Sequence, residues 1–453
     1  MGATKGLRYR RGARTARSDT SPVHVNHGEL SMRTPKIAHP RLVEYVLSFA
    51  NKCRSAIPPR LLIVLALLGS ALCLVFAVIL YITGKAPGIF FISDYLFLAA
   101  LYQDLFVNNG HLDSWYVTPA PYFFPDWPLY FLARYIAGSA YLASPLFFIA
   151  QAIIFYALAV SILKKCLSAG FARVWAAIVV SWSLVWGIQG HDPFVFLLTP
   201  TYHFGSYILL LVELLLALSL ISPAPTRRAW LLLFLAFLVA ALGVSSDRIF
   251  LIQFSLPVVV LFMVRGVLRP RIAIRDTWYV AVTSFGGLLG LEIPRLILTH
   301  QREPRLSNVL NYHFPPVEEK LNSLRYLIDA GSGNHIPTAI ALVFYVGTIC
   351  IFLLRGRGGA GLTSDVSITS SENREERARR ACGAFVIAFA LLELLISGVV
   401  QTLLPWSPSA RYLIPVFFLP LLLTAIPLQI WWERFQGGAV IRKARPFLLI
   451  VCA

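Results

Sequence analysis

The chain has 453 residues, of which 57% are hydrophobic and only 14% charged, and its mean hydropathy is +0.69. Soluble domains average roughly 45–50% apolar and about 25% charged. A chain this poor in polar residues cannot cover a water-facing surface, which excludes a set of soluble domains and leaves an integral membrane protein. The net charge of +18, from 40 basic and 22 acidic residues, points to nucleic acid only if it is not explained by membrane topology.

In chain order, residues 1–60 form a basic tail with 12 Lys and Arg and no long apolar run. The tail reads as disordered and cytoplasmic, and it lacks the short apolar stretch and small-residue cleavage site of a signal peptide, so the first span is expected to be retained. Residues 61–83 follow without a charge. As a helix they cover about 34 Å, enough for a hydrocarbon core of roughly 30 Å. Similar apolar runs at 139–163, 174–188, 205–221, 229–244, 249–267, 278–298, 337–354, 382–404 and 411–431 predict ten transmembrane helices. Phe447–Ala453 begins a further apolar run that stops after seven residues, the expected start of an eleventh. No barrel-like alternation appears, and unpaired backbone in lipid is expensive, so the spans are predicted to be helical.

With the tail in the cytoplasm, 31 of the 40 basic residues fall on that side and 9 on or near the other. Of the acidic residues, nine fall inside, ten outside, and Glu213, Glu292 and Glu393 within spans. The positive excess is therefore a statement of topology, and no nucleic-acid partner is needed to explain it. Residues 61–354 read as a membrane bundle, with long outer loops at 84–125 and 299–336. The Gly-, Ser- and charge-rich stretch 355–380 reads as a flexible cytoplasmic linker, and 381–453 as the last membrane helices. Six of the nine histidines (His111, His191, His203, His300, His313 and His335) fall outside, whereas no cysteine does.

The outer face holds the candidate chemistry. A helix from Asp94 would put Leu98, Leu101, Leu105 and Phe106 on one stripe, an interfacial amphipathic helix ending at Asn108-Asn109-Gly110. Asp94 then reads either as an N-cap or as a general base, since a carboxylate at an apolar boundary is partly desolvated. Asp126, in FPDWPLY, has the same two readings. His191, Asp192 and His203 flank one loop, where they offer a metal trio or, at His203, a donor to phosphate. Ser245-Ser246-Asp247-Arg248 interrupts two apolar runs. Asp247 and Arg248 either neutralise each other or bind a substrate anion, with Arg248 on the anion and Asp247 orienting it. Arg411, beside Tyr412, reads as a snorkelling arginine or a clamp for a lipid-linked phosphate. Glu213 and Glu393 lie in mid-span, either as proton carriers of a transporter or flippase or as hydrogen-bonding groups between helices.

With a cytoplasmic N-terminus, a long first outer loop that carries Asp94 in ISDY, an interfacial helix and the Pro-containing return FPDWPLY, and Arg411-Tyr412 followed by Pro415, the chain resembles the GT-C superfamily of polyprenyl-phosphate-sugar-dependent membrane glycosyltransferases. The resemblance covers roughly residues 61–430. It implies an all-α polytopic fold at the cell's cytoplasmic membrane, with the active face periplasmic or extracellular. It also implies inverting transfer of a sugar from a polyprenyl phosphate to a lipid or glycan acceptor of the envelope. On this basis Asp94 would be the base, Asp126, His203, Asp247, Arg248, Arg411 and Tyr412 would bind substrate, and a divalent cation, Mg or Mn, is a conceivable cofactor. Asp94 is followed by Tyr95 rather than by a second acid. The competing readings are the transporter or flippase and a non-catalytic component of envelope assembly.

Overall fold

The computed structural model describes residues 59–90, 93–112, 115, 120–201, 203–221, 226–268, 273–297, 316–318, 320–322, 339–348, 371–403 and 410–429. The basic tail, most of the 299–336 loop and the stretch from 430 to the final apolar fragment lie outside the described residues. Among those described, every regular element is helical. The principal helices are α1 (Pro59–Ile82), α2 (Ser93–Tyr102), α3 (Asp126–Ala137), α4 (Ala140–Cys166), α5 (Ala169–Ile188), α6 (Phe204–Ile221), α7 (Thr226–Ser246), α8 (Leu256–Leu268), α9 (Ala273–Ile297), α10 (Ala339–Thr348), α11 (Ser371–Leu403) and α12 (Ile414–Leu423). A π-helical turn, Leu251–Ser255, leads into α8.

Among the described residues, eight helices are long and apolar enough to cross a membrane, by length and composition. They correspond to eight of the ten predicted runs. The other two appear as the shorter apolar helices Ala339–Thr348 and Ile414–Gln429. The last ten residues of the expected linker are helical instead, as the first turns of α11. Glu375 and Glu376 pair there with Arg379 and Arg380 one turn on, which holds a charged sequence in helix outside the apolar run.

α6 sits at the centre, with 72% of its apolar window buried, and α1 at the edge, with 6% buried. α1 packs on α5 through a polar seam, where Ser70 Oγ donates to the Ala177 carbonyl (2.9 Å) and lies 2.9 Å from Ser181 Oγ. α7 and α9 approach backbone to backbone, and a Cβ at Gly286 or Gly290 would stand 2.5 Å from the carbonyl oxygens of Phe237 or Ala241. Small residues four apart are the usual route to such contact between membrane helices.

α3 and α4 form a hairpin. Gly138, in the left-handed conformation (φ 69°), ends α3, and its N–H donates to the Arg134 carbonyl. Ser139 then caps α4 by accepting from Leu142 N–H. Tyr130 packs on Phe147 across the hairpin, a register that brings Asp126, at the far end of α3, level with Gln151.

The first outer segment departs from expectation. Leu98 and Leu101 are buried against Tyr130, Ala133, Ala143 and Phe147, but Phe106 is exposed. The helix changes to a π turn over Gln103–Val107. The extra residue per turn rotates Phe106 off the stripe that α-helical spacing predicts. Asp104, in that turn, accepts a hydrogen bond from Trp115 Nε1 at 2.6 Å.

Candidate functional site

α5 and α7 end, and α6 and the helix after α7 begin, at one end of the bundle. Polar residues that interrupt separate apolar runs meet there. His203, just before α6, directs Nδ1 at Asp247 Oδ2 in a close, buried pair. Ser206 Oγ donates to the same carboxylate oxygen (3.0 Å), and Ile249 N–H donates to Oδ1 (3.1 Å). Asp247 therefore caps the turn that starts the next helix while it holds an imidazole, and its two oxygens have three polar contacts. With Nδ1 engaged, Nε2 is the ring position left for a ligand or a proton.

The His203 ring lies between two tyrosines, with Tyr122 edge-on at 5.5 Å and Tyr412 at 5.0 Å between centroids. Gln253 Nε2 donates to the Tyr412 carbonyl, tying the start of α12 to the π turn before α8. Tyr122 N–H donates to the Ser246 carbonyl (3.0 Å) and Phe124 N–H to Ser246 Oγ (2.6 Å), which pins the entry to α3 against the end of α7.

Tyr122, Thr201 and His203 all have left-handed backbone, with φ of 58°, 75° and 68°. Such conformations cost of order 1–3 kcal/mol for residues other than glycine, and they concentrate at sites where geometry serves function.

Asp126 is 1% exposed and opens α3 beside this pair. Its Oδ1 is sealed from solvent and has no hydrogen-bond partner. The carboxyl lies on the bare Cα of Gly205 in the first turn of α6, where an added Cβ would stand 2.4 Å from Oδ1. Burial, and then the neighbouring charge of Asp247, push the Asp126 carboxyl up to about 8.

Four of the predicted site residues thus come together: Asp126, His203, Asp247 and Tyr412. Asp247 turns to His203 and not to Arg248, so mutual neutralisation within the Asp-Arg pair gives way to a His-Asp pair. Arg248 itself is exposed. The backbone of Arg411 lies in the 3-10 turn Ala410–Leu413, and its side chain is outside the described ones. Asp94 lies in the first turn of α2, and its side chain is likewise outside them.

Glu213 and Glu393 lie deeper in the bundle, fully buried. Tyr279 Oη donates to Glu213 Oε1 (2.7 Å), and Ser397 Oγ donates to Glu393 Oε1 (2.5 Å). Asp192 is exposed while His203 is committed to Asp247, so the expected trio with His191 does not assemble. Among the described residues no group of three or more His, Cys, Asp or Glu side chains is placed to hold a metal ion. The divalent cation that the resemblance implies thus has no site among the described side chains, which do not include that of Asp94.

Ser206, Tyr122, Ser246 and Gly205 were not candidates from sequence. One signal for them exists in it: HFGS opens one apolar helix and SSDR closes the next, and a short connection makes the two antiparallel neighbours, so these ends meet. No protein-family model, curated protein or solved structure matches this chain.

Proposed function

We propose that the chain is a membrane glycosyltransferase that moves a sugar from a polyprenyl-phosphate donor to a lipid or glycan acceptor of the envelope, at the outer face of the membrane. The observation that carries this reading is the buried His203–Asp247 pair beside the Asp126 carboxyl, an acid–base arrangement at the end of a lipid-embedded bundle. In the reaction, His203 Nε2 takes the proton of the acceptor hydroxyl as its oxygen attacks the anomeric carbon. The bond from that carbon to the phosphate oxygen breaks, with inversion. Asp247 holds the imidazole in orientation and stabilises its charged form, a role that a buried carboxylate fills well. Arg411 and Arg248 supply cations for the leaving phosphate. Asp94, the base that the resemblance implies, is the rival of His203 for the proton.

The test is compositional analysis of envelope glycans and lipid-linked sugars from cells carrying wild-type or variant protein. A positioned general base contributes about 10²–10⁴-fold, so His203→Gln is expected to lower sugar incorporation at least about 100-fold at unchanged protein level. Full incorporation in His203→Gln with loss in Asp94→Asn would move the base to Asp94. An unchanged glycan profile on deleting the protein would overturn the reading.

A proton-coupled transporter or flippase is the second reading. It is favoured by one observation: Glu213 and Glu393 each keep one sealed carboxyl oxygen without a partner. On that reading Glu213→Gln abolishes function as fully as His203→Gln does.

A further inference from the structure

Beneath the His203–Asp247 pair lies a second polar group that the transfer chemistry above does not use. α6 and α11 pack against each other, and their register is marked by Cys382 Sγ, 3.9 Å from the Leu218 carbonyl oxygen. Eleven residues from that contact along each helix, in opposite directions, bring Tyr207 level with Glu393. Fifteen bring His203 level with Ser397. Tyr207 lies in the first turn of α6, its N–H donating to the carbonyl of His203 just before that helix (3.1 Å), and Glu393 precedes Ser397 by one turn on α11. A polar strip therefore descends from the site along the α6–α11 interface.

The hydrogen-bonding in this strip is complementary and incomplete. Ser397 Oγ donates to Glu393 Oε1 at 2.5 Å. Glu393 Oε2 and Tyr207 Oη are both sealed from solvent and both lack a partner. One is an acceptor, the other a donor, at the same level of two packed helices. The Tyr207 ring is confined by Phe155, Phe204 and Phe418, with centroids 6.1, 5.6 and 5.4 Å away. Tyr345 approaches from α10, its Oη donating to the Val416 carbonyl at 3.3 Å. Tyr207 and Tyr345 are the titratable groups that feel the charge of Glu393. Buried polar atoms are nearly always satisfied, and a single water with a donor and an acceptor to bridge satisfies both orphans.

We propose that Tyr207, Glu393 and Ser397 form a proton-holding group that exchanges a proton with the His203–Asp247 pair through Ser397 and bound water. One proton moves and nothing else is consumed. Ser397 Oγ accepts a proton from the His203 side and passes its own to Glu393 Oε1. The neutral acid is then stabilised by its contacts to Ser397 and, through water, to Tyr207. This inference rests on the acid–base reading of His203 and not on sugar transfer.

The test uses the full chain in lipid nanodiscs, without substrate, and follows the carboxyl C=O stretch by infrared difference spectroscopy over a pH series in H₂O and D₂O. A carboxyl band is expected that shifts in D₂O and disappears in Glu393→Gln. In His203→Gln and in Tyr207→Phe its midpoint should move by about one pH unit, as for coupled sites. Ser397→Ala should shift the band position while leaving the carboxyl in place, so the inference stays testable if Glu393→Gln fails to fold. A band indifferent to pH and to His203→Gln would make Glu393 a packing group and overturn the proposal. So would a spectrum in which Glu393→Gln removes nothing. Because no sugar is present, neither outcome bears on the glycosyltransferase reading.

Discussion

Asp126 shows how the burial of a single carboxyl ties stability to pH. In an unfolded chain its carboxyl titrates near about 3.9, whereas in the fold burial holds it up to about 8. Between those values the folded protein keeps a proton that the unfolded chain has released. Stability from this group is therefore full below about pH 4 and is lost as pH rises towards 8. Asn, which resembles the neutral acid, removes that dependence. Each pKa unit is worth about 1.4 kcal/mol, so Asp126→Asn should be more stable than wild type by a few kcal/mol at pH 9 and indistinguishable at pH 4. Thermal unfolding in nanodiscs at the two pH values measures this, and equal midpoints at pH 9 would mean that Asp126 is not held neutral by the fold. Gly205 belongs to the same contact. Ala is normally the better helix former by about 1 kcal/mol, yet Gly205→Ala should lower stability, because its methyl would overlap the Asp126 carboxyl.

Among the elements, the α7–α9 pair positions Ser246 and Asp247. α7 ends in Ser245 and Ser246, with Asp247 next in the chain. Gly290 faces that end: a Cβ there would stand 2.5 Å from the Ala241 carbonyl oxygen, 2.8 Å from Val244 Cβ and 3.1 Å from Ser245 N. Since most of these atoms are backbone, they cannot rotate away. Overpacking of this kind typically costs about 1–3 kcal/mol. Gly290→Ala should lose that much in thermal or denaturant unfolding, and also reduce function by displacing Ser246 and Asp247. Gly398→Ala, inside α11 where an added Cβ meets nothing within 4 Å, is the control and should not lose stability, gaining up to about 1 kcal/mol from helix propensity. The small-residue spacing at Gly286 and Gly290 was present in the sequence, and α7 carries its own at Ala236, Ala240 and Ala241; that these two helices are the ones that meet was not.

For the whole molecule, helix ends and charge agree. Lys164, Lys165, Arg173, Arg227, Arg228, Arg265 and Arg275 fall at or near the connections α4–α5, α6–α7 and α8–α9, the end of the bundle away from His203 and Asp247. The positive-inside tendency predicts that this end is cytoplasmic and that the candidate site faces outward. In a cysteine-free background, a cysteine at Thr83 should react with a membrane-impermeant maleimide in intact cells, and one at Thr226 only after lysis. The reverse pattern would put the site in the cytoplasm and remove an outer-face substrate.

What could be read from the sequence follows from how each property is encoded. Span positions, helical class and the expected sidedness depend on local composition: an apolar run of sufficient length is costly anywhere but in lipid, and each loop carries its own charge. Asp126, His203, Asp247 and Tyr412 were legible as candidates because each interrupts or borders an apolar run, where a polar residue needs a reason. Their partners were not legible. Nothing local to Asp247 says that it turns to His203, 44 residues earlier, in preference to the adjacent Arg248. That choice depends on which helix ends meet, and on left-handed backbone at Tyr122, Thr201 and His203 that a side chain's identity does not announce. The same holds for Tyr207 and Glu393, whose shared level exists only in the register of two packed helices. Sequence alone determined that this chain belongs in a membrane and where its polar residues lie along it. Tertiary structure decided which of them face one another, because pairing in a helical bundle is set by long-range packing that no local pattern encodes.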